Sequence, residues 1–205
     1  MRANDHALRD EKAAIRQSAL ARRDGLDPQI RRAVSEHIAD EMLPVLARLG
    51  VEHLGGRVAS GFWPIRSELD PRPAMRKLAA EGTILALPCI EEGRLVFRRF
   101  AFGERLASAG FGLSQPPREA PIVDPELMLV PLAAFDRACG RIGYGKGYYD
   151  AAIARLTATR GKPLKLGLAF AAQEASTIPI EAHDQRLDAI LTERELILPR
   201  DPRPA

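Results

Sequence analysis

The chain of 205 residues is long enough for one well-buried core but too short for two full domains, so we expect a single domain over residues 1–205. Hydrophobic residues make up 46% of the sequence and charged residues 28%, which excludes a disordered or collagen-like chain. The net charge of +3 arises from 30 basic and 27 acidic residues that are interspersed, a balance that favours small anionic ligands over nucleic acid.

The cysteines and the N-terminus indicate the cellular compartment in which the protein works. Cys89 and Cys139 lie far apart and belong to no metal-binding spacing, so we expect two buried thiols. The N-terminus is charged and lacks the apolar core of a signal peptide, and no run of about 18 apolar residues occurs. We therefore expect a cytoplasmic protein with no membrane partner. We also expect a monomer without a nucleic-acid partner. The C-terminal tail, from about residue 199, is expected to be flexible.

The first quarter of the chain has the pattern of two helices. A charged helix is predicted over about residues 5–23 and ends at Gly25. Asp27 and Pro28 are the residues of an N-cap followed by proline at the first helical position. Apolar residues then recur at helical spacing: Ile30, Val34, Ile38, Met42, Val45, Leu46 and Leu49.

Strands and helices alternate after this point. A strand over 57–60, a helix opened by Asp70-Pro71 and closed by Gly82, and an apolar strand over 83–87 predict a βαβ unit. Further strands are predicted at 95–97, 127–130, 165–170 and 189–192, with a helix over 147–159. Apolar runs such as ILAL and LMLV indicate strands buried on both faces. The class is therefore α/β, with a mainly parallel sheet covered by helices on both sides and ligands beyond the carboxyl ends of its strands.

The most informative stretch is GRIGYGKGYYD, residues 140–150, which lies between a strand and a helix. Glycines let a backbone approach a ligand closely and point successive N–H groups at one anion, and a helix start adds roughly half a positive charge. Arg141 and Lys146 add full charges. The stretch predicts a phosphate-binding loop; the alternative is a tight turn with Tyr148 and Tyr149 as core aromatics.

Known phosphate motifs fit this loop only in part. Its spacing follows most of the P-loop pattern, but Gly147 stands where that pattern has the hydroxyl residue that holds magnesium. The dinucleotide pattern G-x-G-x-x-G fails because Tyr148 occupies its third glycine position. Magnesium must therefore be held elsewhere, and Asp150 is the nearest candidate.

The segment VPLAAFDRACGRIGYGKGYYD resembles the signature of the 5-formyltetrahydrofolate cyclo-ligase family. The resemblance extends along most of the chain through EKAAIRQSAL, SGFWPIRSELDP, LGLAFAAQ and IPIEAHDQRLDAILTE. The middle section departs from the family, since Gln115 stands where many members carry glutamate. Membership would imply one three-layer α/β/α domain and an enzyme that uses ATP and Mg²⁺ to convert 5-formyltetrahydrofolate into 5,10-methenyltetrahydrofolate, with release of ADP and phosphate.

The resemblance also implies roles for individual residues. The ATP site would comprise Lys12, Arg16, Arg141, Ile142, Gly143, Tyr144, Gly145, Lys146, Gly147, Tyr148 and Tyr149. The folate site would comprise Phe62, Trp63, Glu68, Tyr144, Gly145, Lys146, Gly147 and Tyr148. Arg141, Lys146 and Tyr148 would act in catalysis, and Asp150 and Asp188 would hold magnesium. The formyl oxygen would be phosphorylated by ATP before N10 of the folate attacks, a reaction that needs positioning and charge neutralisation.

Plainer interpretations of the same residues stay open. Lys12 and Arg16 share a helix face at i, i+4, which a solvated basic face also does. Glu68 would also suit a helix dipole, and Phe62 and Trp63 would suit a core. Two other functions compete with the ligase. One is a kinase or nucleotide hydrolase that uses the same loop, and the other is a binding module for nucleic acid or a regulatory nucleotide.

Overall fold

The computed structural model describes residues 2–108 and 114–199, with side chains from residue 6 onward. Its α-helices are α1, Arg2–Asp24; α2, Pro28–Arg48; α3, Arg72–Ala80; and α4, Tyr148–Arg160. No helix within those ranges has the length and apolar character needed to cross a membrane. Residues 200–205, which make up most of the predicted flexible tail, lie outside the described residues.

The strands form one large sheet and two small ribbons. In chain order they are β1, Val58–Ser60; β2, Ile84–Glu91; β3, Arg94–Arg99; β4, Ala107–Ser108; β5, Ser114–Gln115; β6, Leu127–Pro131; β7, Ala134–Phe135; β8, Arg141–Ile142; β9, Leu164–Leu168; β10, Ala189–Leu191; and β11, Leu196–Ile197. The seven-stranded sheet has the order β11-β10-β9-β6-β1-β2-β3, and β4/β5 and β7/β8 form the ribbons. The inner pairings of the sheet are parallel, whereas β2/β3 and β10/β11 are antiparallel. The predicted mainly parallel sheet is confirmed.

The sheet buries side chains on both faces, which explains its apolar strands. In β6, Leu127 and Leu129 belong to a core cluster that α2 and α3 complete, whereas Met128 and Val130 belong to a second cluster with residues of α4. This alternation follows from the two-residue period of a strand. The predicted α/β/α arrangement is therefore confirmed, with α2 and α3 on one face and α4 on the other.

Helix α1 packs outside these layers, against the β7/β8 ribbon. Ala19 is fully buried in a small third cluster with Ala134 of β7, Ile142 of β8 and Ile178. Because β8 leads directly into the glycine loop, this packing brings one face of α1 next to that loop.

Several element boundaries differ by a few residues from the sequence expectation, and those of α3 and β2 have clear causes. Asp27 caps α2 as predicted, since its Oδ1 accepts the Gln29 N–H at 2.6 Å. Helix α3 instead begins at Arg72, and Asp70 accepts the Arg72 N–H at 3.0 Å from outside the helix. Strand β2 continues four residues past its predicted end because it forms an antiparallel hairpin with β3. Local pattern did not reveal this pairing.

Two segments of the chain leave the sheet at the same edge. Strands β1 and β6 are parallel neighbours, with Ala59 opposite Leu127 and Ser60 opposite Met128. The segment that follows β1 carries Trp63 and Glu68, and the chain that follows β6 leads through β7 and β8 into the glycine loop. Both predicted binding segments therefore begin at the carboxyl edge, where ligands of such sheets bind.

We expect Gly167→Ala in β9 to lower the free energy of unfolding by about 1–3 kcal/mol, because overpacking a filled core costs that much. The added methyl would lie 2.6 Å from Leu187 Cδ1 and 2.9 Å from Leu132 Cδ2. Gly25→Ala is the control, since its methyl would meet only carbonyl oxygens, the nearest at 3.5 Å. Urea denaturation would measure both variants, and equal stabilities would contradict the packing described here.

Candidate active site

The glycine loop opens directly onto the N-terminus of α4. Gly145 and Gly147 have positive φ angles of 90° and 65°, which favour glycine, and Gly147 is the N-cap residue of α4. The loop residues Tyr144, Gly145, Lys146 and Gly147 are all exposed. Unpaired N–H groups of a helix start and the helix dipole attract anions. The loop can therefore receive a phosphate group, and its role in binding ATP stays a prediction.

Arg16 of α1 lies against this loop. Its Nε donates to the Gly143 carbonyl at 2.7 Å. Its Nη2 lies 3.4 Å from where a side chain on Gly145 would begin, so any larger residue there would press on the guanidinium. Burial lowers the pKa of Arg16 from its usual value. The structure thus brings together two parts of the predicted ATP site that are more than a hundred residues apart in sequence.

Lys12 lies one turn earlier on α1 but has other partners. Its Nζ donates to Glu181 at 2.7 Å and also pairs with Asp184. Burial by itself lowers the pKa of Lys12, but hydrogen bonds to these two carboxylates outweigh it, so the pKa is raised. A contact of Lys12 with ATP phosphates stays a prediction, and it requires the ammonium to share or exchange these partners.

Arg141 and Asp150 form a buried ion pair beneath the loop. Nη2 of Arg141 lies 2.9 Å from Asp150 Oδ1, and the same oxygen accepts the backbone N–H of Gln185 at 2.9 Å. The Arg141 guanidinium also lies 5.8 Å from the centre of the Tyr149 ring. Oδ2 of Asp150 makes no hydrogen bond with any described residue, which leaves it free to bind a cation.

Asp188, the second predicted magnesium ligand, has different surroundings. It precedes β10, where Lys162 Nζ lies 2.8 Å from Oδ1 and Oδ2 accepts the Lys165 N–H at 2.9 Å. Nζ of Lys165 lies 3.4 Å from Oδ2, and burial lowers the pKa of this lysine. Both oxygens of Asp188 are therefore occupied, and among the described residues Asp188 and Asp150 share no hydrogen-bond or ion-pair partner. Magnesium binding by Asp188 stays a prediction that requires these contacts to open.

The two predicted folate-binding aromatics differ in burial. Phe62 is 3% exposed and belongs to the core cluster beneath α2 and α3. Trp63 is only partly buried and packs edge-on against Phe100, with ring centres 5.9 Å apart. The Arg72 guanidinium lies 4.9 Å from the centre of the Trp63 ring. Of these two aromatic residues, Trp63 is thus the one that a ligand can reach, whereas Phe62 is part of the core.

Glu68 lies beside the glycine loop. Its Oε2 accepts the Ile65 N–H at 2.9 Å, and its neighbour Ser67 shares Arg23 with the Tyr144 hydroxyl of the loop. Burial raises the pKa of Glu68, while the Ile65 N–H, the charge of Arg23 and the Tyr144 hydroxyl each oppose that rise. The structure therefore joins the predicted folate carboxylate to the predicted nucleotide loop.

Sequence reasoning missed Arg23 in the last turn of α1. This arginine is 1% exposed; its Nε donates to Ser67 Oγ at 3.0 Å and its Nη2 to the Tyr144 hydroxyl at 3.2 Å. It follows Arg16 by seven residues, almost two helical turns, so it lies on the same face of α1. That spacing was the available signal, but only the tertiary structure shows that Arg23 is buried.

Three buried donors around this site have no hydrogen-bond partner among the described residues. They are Arg23 Nη1, Arg141 Nε and the Tyr149 hydroxyl. Burial also raises the pKa of the Tyr149 hydroxyl well above its usual value, so this group stays protonated and able to donate. Unpaired buried donors cost free energy and call for an absent acceptor. This donor set fits a ligand rich in oxygen, such as a phosphate or a carbonyl compound.

Comparison with known proteins identifies the family. The model described as the 5-formyltetrahydrofolate cyclo-ligase family matches residues 8–193. A probable 5-formyltetrahydrofolate cyclo-ligase of Schizosaccharomyces pombe is 31% identical over 115 residues, which cover 50% of this chain and 56% of that protein. The Escherichia coli K12 5-formyltetrahydrofolate cyclo-ligase is 25% identical over 181 residues, 83% of this chain and 94% of its own length.

A solved structure agrees with these matches. The NMR structure of Aquifex aeolicus 5,10-methenyltetrahydrofolate synthetase is similar to this chain with a TM-score of 0.74 and 31% identity, and the match covers 95% of each chain. The glycine loop, the residues on α1 that face it and Glu68 all lie within the segment that the family model matches. The chain therefore belongs to the 5-formyltetrahydrofolate cyclo-ligase family of enzymes.

Proposed function

We propose that this enzyme converts 5-formyltetrahydrofolate into 5,10-methenyltetrahydrofolate while ATP is converted to ADP and phosphate, in a Mg²⁺-dependent reaction. The observation that carries the proposal is the pair of hydrogen bonds by which Arg23 links Ser67, the neighbour of Glu68, to the Tyr144 hydroxyl of the glycine loop. They place a half-buried carboxylate, suited to the amino-pyrimidine edge of a folate, beside a glycine loop suited to phosphate. A site for two substrates that must react with each other needs this juxtaposition.

The chemistry requires activation of a poor electrophile. The formyl oxygen on N5 attacks the γ-phosphorus of ATP, the bond to ADP breaks, and a phosphate leaving group is formed on the formyl carbon. N10 of the same folate then attacks that carbon and loses its proton, and departure of phosphate closes the methenyl ring. Phosphoryl transfer depends mainly on positioning and charge neutralisation, so no nucleophilic side chain is needed.

The surroundings of the loop residues suit phosphate binding and charge neutralisation. Lys146 is exposed at the loop and makes no hydrogen bond or ion pair with any described residue, so its charge is free to meet a phosphate. Arg141 offers its unpaired Nε from beneath, and Tyr148 begins α4 beside it. On the other side of the loop, Arg16 and Lys12 would add positive charge along α1. These assignments are proposals.

Magnesium would be held first by Asp150. Its free Oδ2 lies in the first turn of α4, next to the loop that would carry the phosphates. Mg²⁺ prefers oxygen ligands and is usually bound through one or two carboxylates together with substrate phosphates. The ion would neutralise charge on those phosphates. Asp188 is the second proposed ligand. We also propose that the enzyme is a cytoplasmic monomer.

The first test is the growth of near-ultraviolet absorbance from the methenyl product when the protein is mixed with 5-formyltetrahydrofolate, ATP and Mg²⁺. We expect growth that stops when either ATP or Mg²⁺ is omitted, with one ADP formed per methenyl product. ADP release without folate would instead support a nucleotide hydrolase. A flat trace from folded protein that still binds ATP would support a binding module.

We expect Lys146→Ala to lower kcat/KM for ATP by about 100-fold, the size seen when one charge-stabilising donor is removed from an active site. The variant should keep its melting temperature, since Lys146 is exposed. Arg48→Ala removes another exposed cation, at the end of α2, and serves as the control. Turnover of Lys146→Ala within about twofold of the parent would contradict the proposed role.

We expect Glu68→Gln to weaken 5-formyltetrahydrofolate binding by about 10-fold or more, because a neutral amide replaces a charged acceptor. Binding of ATP should change little, since the hydrogen bond of Glu68 is to Ile65, outside the glycine loop. Calorimetric titration with each ligand separately measures both affinities. Parallel losses for the two ligands would indicate a general disturbance of the site and argue against a folate role.

Glu68→Gln should also raise the stability of the ligand-free protein at neutral pH. Because burial raises the pKa of Glu68 in the folded state, the wild-type protein loses stability as pH rises from the usual value of 4.5 through the folded pKa. The variant lacks this loss, so its advantage should be absent near pH 4 and constant above the folded pKa.

Thermal unfolding across this pH range measures the difference. Glu104→Gln is the matched control: Glu104 also accepts the N–H of the residue three positions earlier, Ala101, at 2.9 Å, but is exposed. A Glu68→Gln advantage that does not depend on pH would contradict the burial effect.

A further inference from the structure

Arg23 joins three segments that come from distant parts of the chain. It lies at the end of α1, bonds Ser67 in the segment after β1, and bonds Tyr144 in the glycine loop. Ser67 in turn donates to Asp24, so the end of α1 and the segment that carries Glu68 are doubly connected. Arg23 is therefore fixed on two sides, and the remaining side of its guanidinium carries Nη1.

Nη1 of Arg23 is buried and makes no hydrogen bond with any described residue. Arginine has five N–H donors and no acceptor, and a buried donor without an acceptor is costly. An apolar residue would give a more stable core at this position, unless the donor meets an acceptor that is absent from the free protein. The unpaired atom therefore points to a ligand.

The charge of Arg23 is also poorly neutralised within the fold. Asp24 Oδ1 lies 3.8 Å from Nε, but Asp24 is 61% exposed and its charge is screened by water. Glu68 is the half-buried carboxylate whose pKa the charge of Arg23 lowers, and it directly follows Ser67, which Arg23 bonds. A donor held by Ser67 and Tyr144 thus lies near an acceptor held by the Ile65 N–H.

The pyrimidine edge of a 2-amino-4-oxopteridine has the complementary pattern. It presents, side by side, an amino donor, the N3–H donor and the O4 acceptor. A carboxylate such as Glu68 can accept from the first two, and a neighbouring donor is then needed for O4. We propose that Arg23 is a substrate-binding residue whose Nη1 donates to O4 of the pterin, beside Glu68. This inference rests on the proposed function, because it takes a folate as the ligand.

A double-mutant cycle between protein and ligand tests the contact. The protein change is Arg23→Met, and the ligand change replaces O4 of 5-formyltetrahydrofolate by sulfur, which keeps N3–H but is a weak acceptor. Calorimetry without nucleotide would measure all four affinities. We expect the sulfur analogue to bind wild type about 10-fold more weakly, and Arg23→Met to bind the oxygen form about 10- to 100-fold more weakly.

The decisive result is the coupling between the two changes. In Arg23→Met the oxygen and sulfur ligands should bind within about twofold of each other, since the group that distinguishes them is gone. Arg22→Met is the matched control; Arg22 is the preceding residue, is exposed, and among the described residues bonds only Ser18 and the carbonyls of Ala172 and Glu174. This control should keep the full sulfur penalty. If Arg23→Met does not fold, Arg23→Gln replaces it in the same cycle.

Two results would overturn the proposal: no sulfur penalty in the wild type, or the same penalty in the wild type and in the Arg23 variant. A lower melting temperature with unchanged coupling would likewise assign Arg23 a structural role only. The outcome is separable from the proposed function. Folate binding without turnover would reject the reaction and leave the cycle readable, whereas normal turnover with unchanged coupling would reject the role of Arg23 alone.

Discussion

The parallel pairing of β1 with β6 is the constraint on which the candidate site depends. Because the two strands run in the same direction, the segment carrying Glu68 and the chain leading to the glycine loop leave the same edge of the sheet. Glu68 and Tyr144 are more than seventy residues apart in sequence, yet Arg23 bonds both Ser67, the neighbour of Glu68, and the Tyr144 hydroxyl. An antiparallel pairing would place these segments at opposite edges, and Arg23 could not then bond both Ser67 and Tyr144.

Helix α1 completes the site from outside the layered fold. One face of this helix packs Ala19 against the ribbon before the glycine loop, and the neighbouring positions on that side present Lys12, Arg16 and Arg23. Each cation has a different partner: two carboxylates for Lys12, a loop carbonyl for Arg16, and two hydroxyls for Arg23. The apolar contact sets the position of the helix, and the polar contacts order the loop and the folate segment around it.

The site keeps unpaired buried donors and a partly buried charge, which a purely structural core would lack. Unpaired buried donors cost roughly 1–3 kcal/mol each, and a carboxylate whose pKa is raised by burial destabilises the fold at neutral pH. Arg23, Arg141, Tyr149 and Glu68 combine both features within one region. A ligand with matching acceptors and donors would relieve these costs on binding. The same groups would then favour a bound folate and nucleotide over water, because they are held in place before the ligand arrives.

Local chemistry in the sequence determined much of this enzyme. The helical spacing after Asp27, the apolar strands and the glycines before Tyr148 each depend on residues a few positions apart, and the structure agrees with all three. The family resemblance was likewise carried by short motifs. Tertiary structure alone decided which charges meet: Lys12 pairs with Glu181 and Asp184, Asp188 with Lys162, and Arg23 becomes buried. A side chain's partner depends on how distant segments pack, and no local spacing encodes that choice.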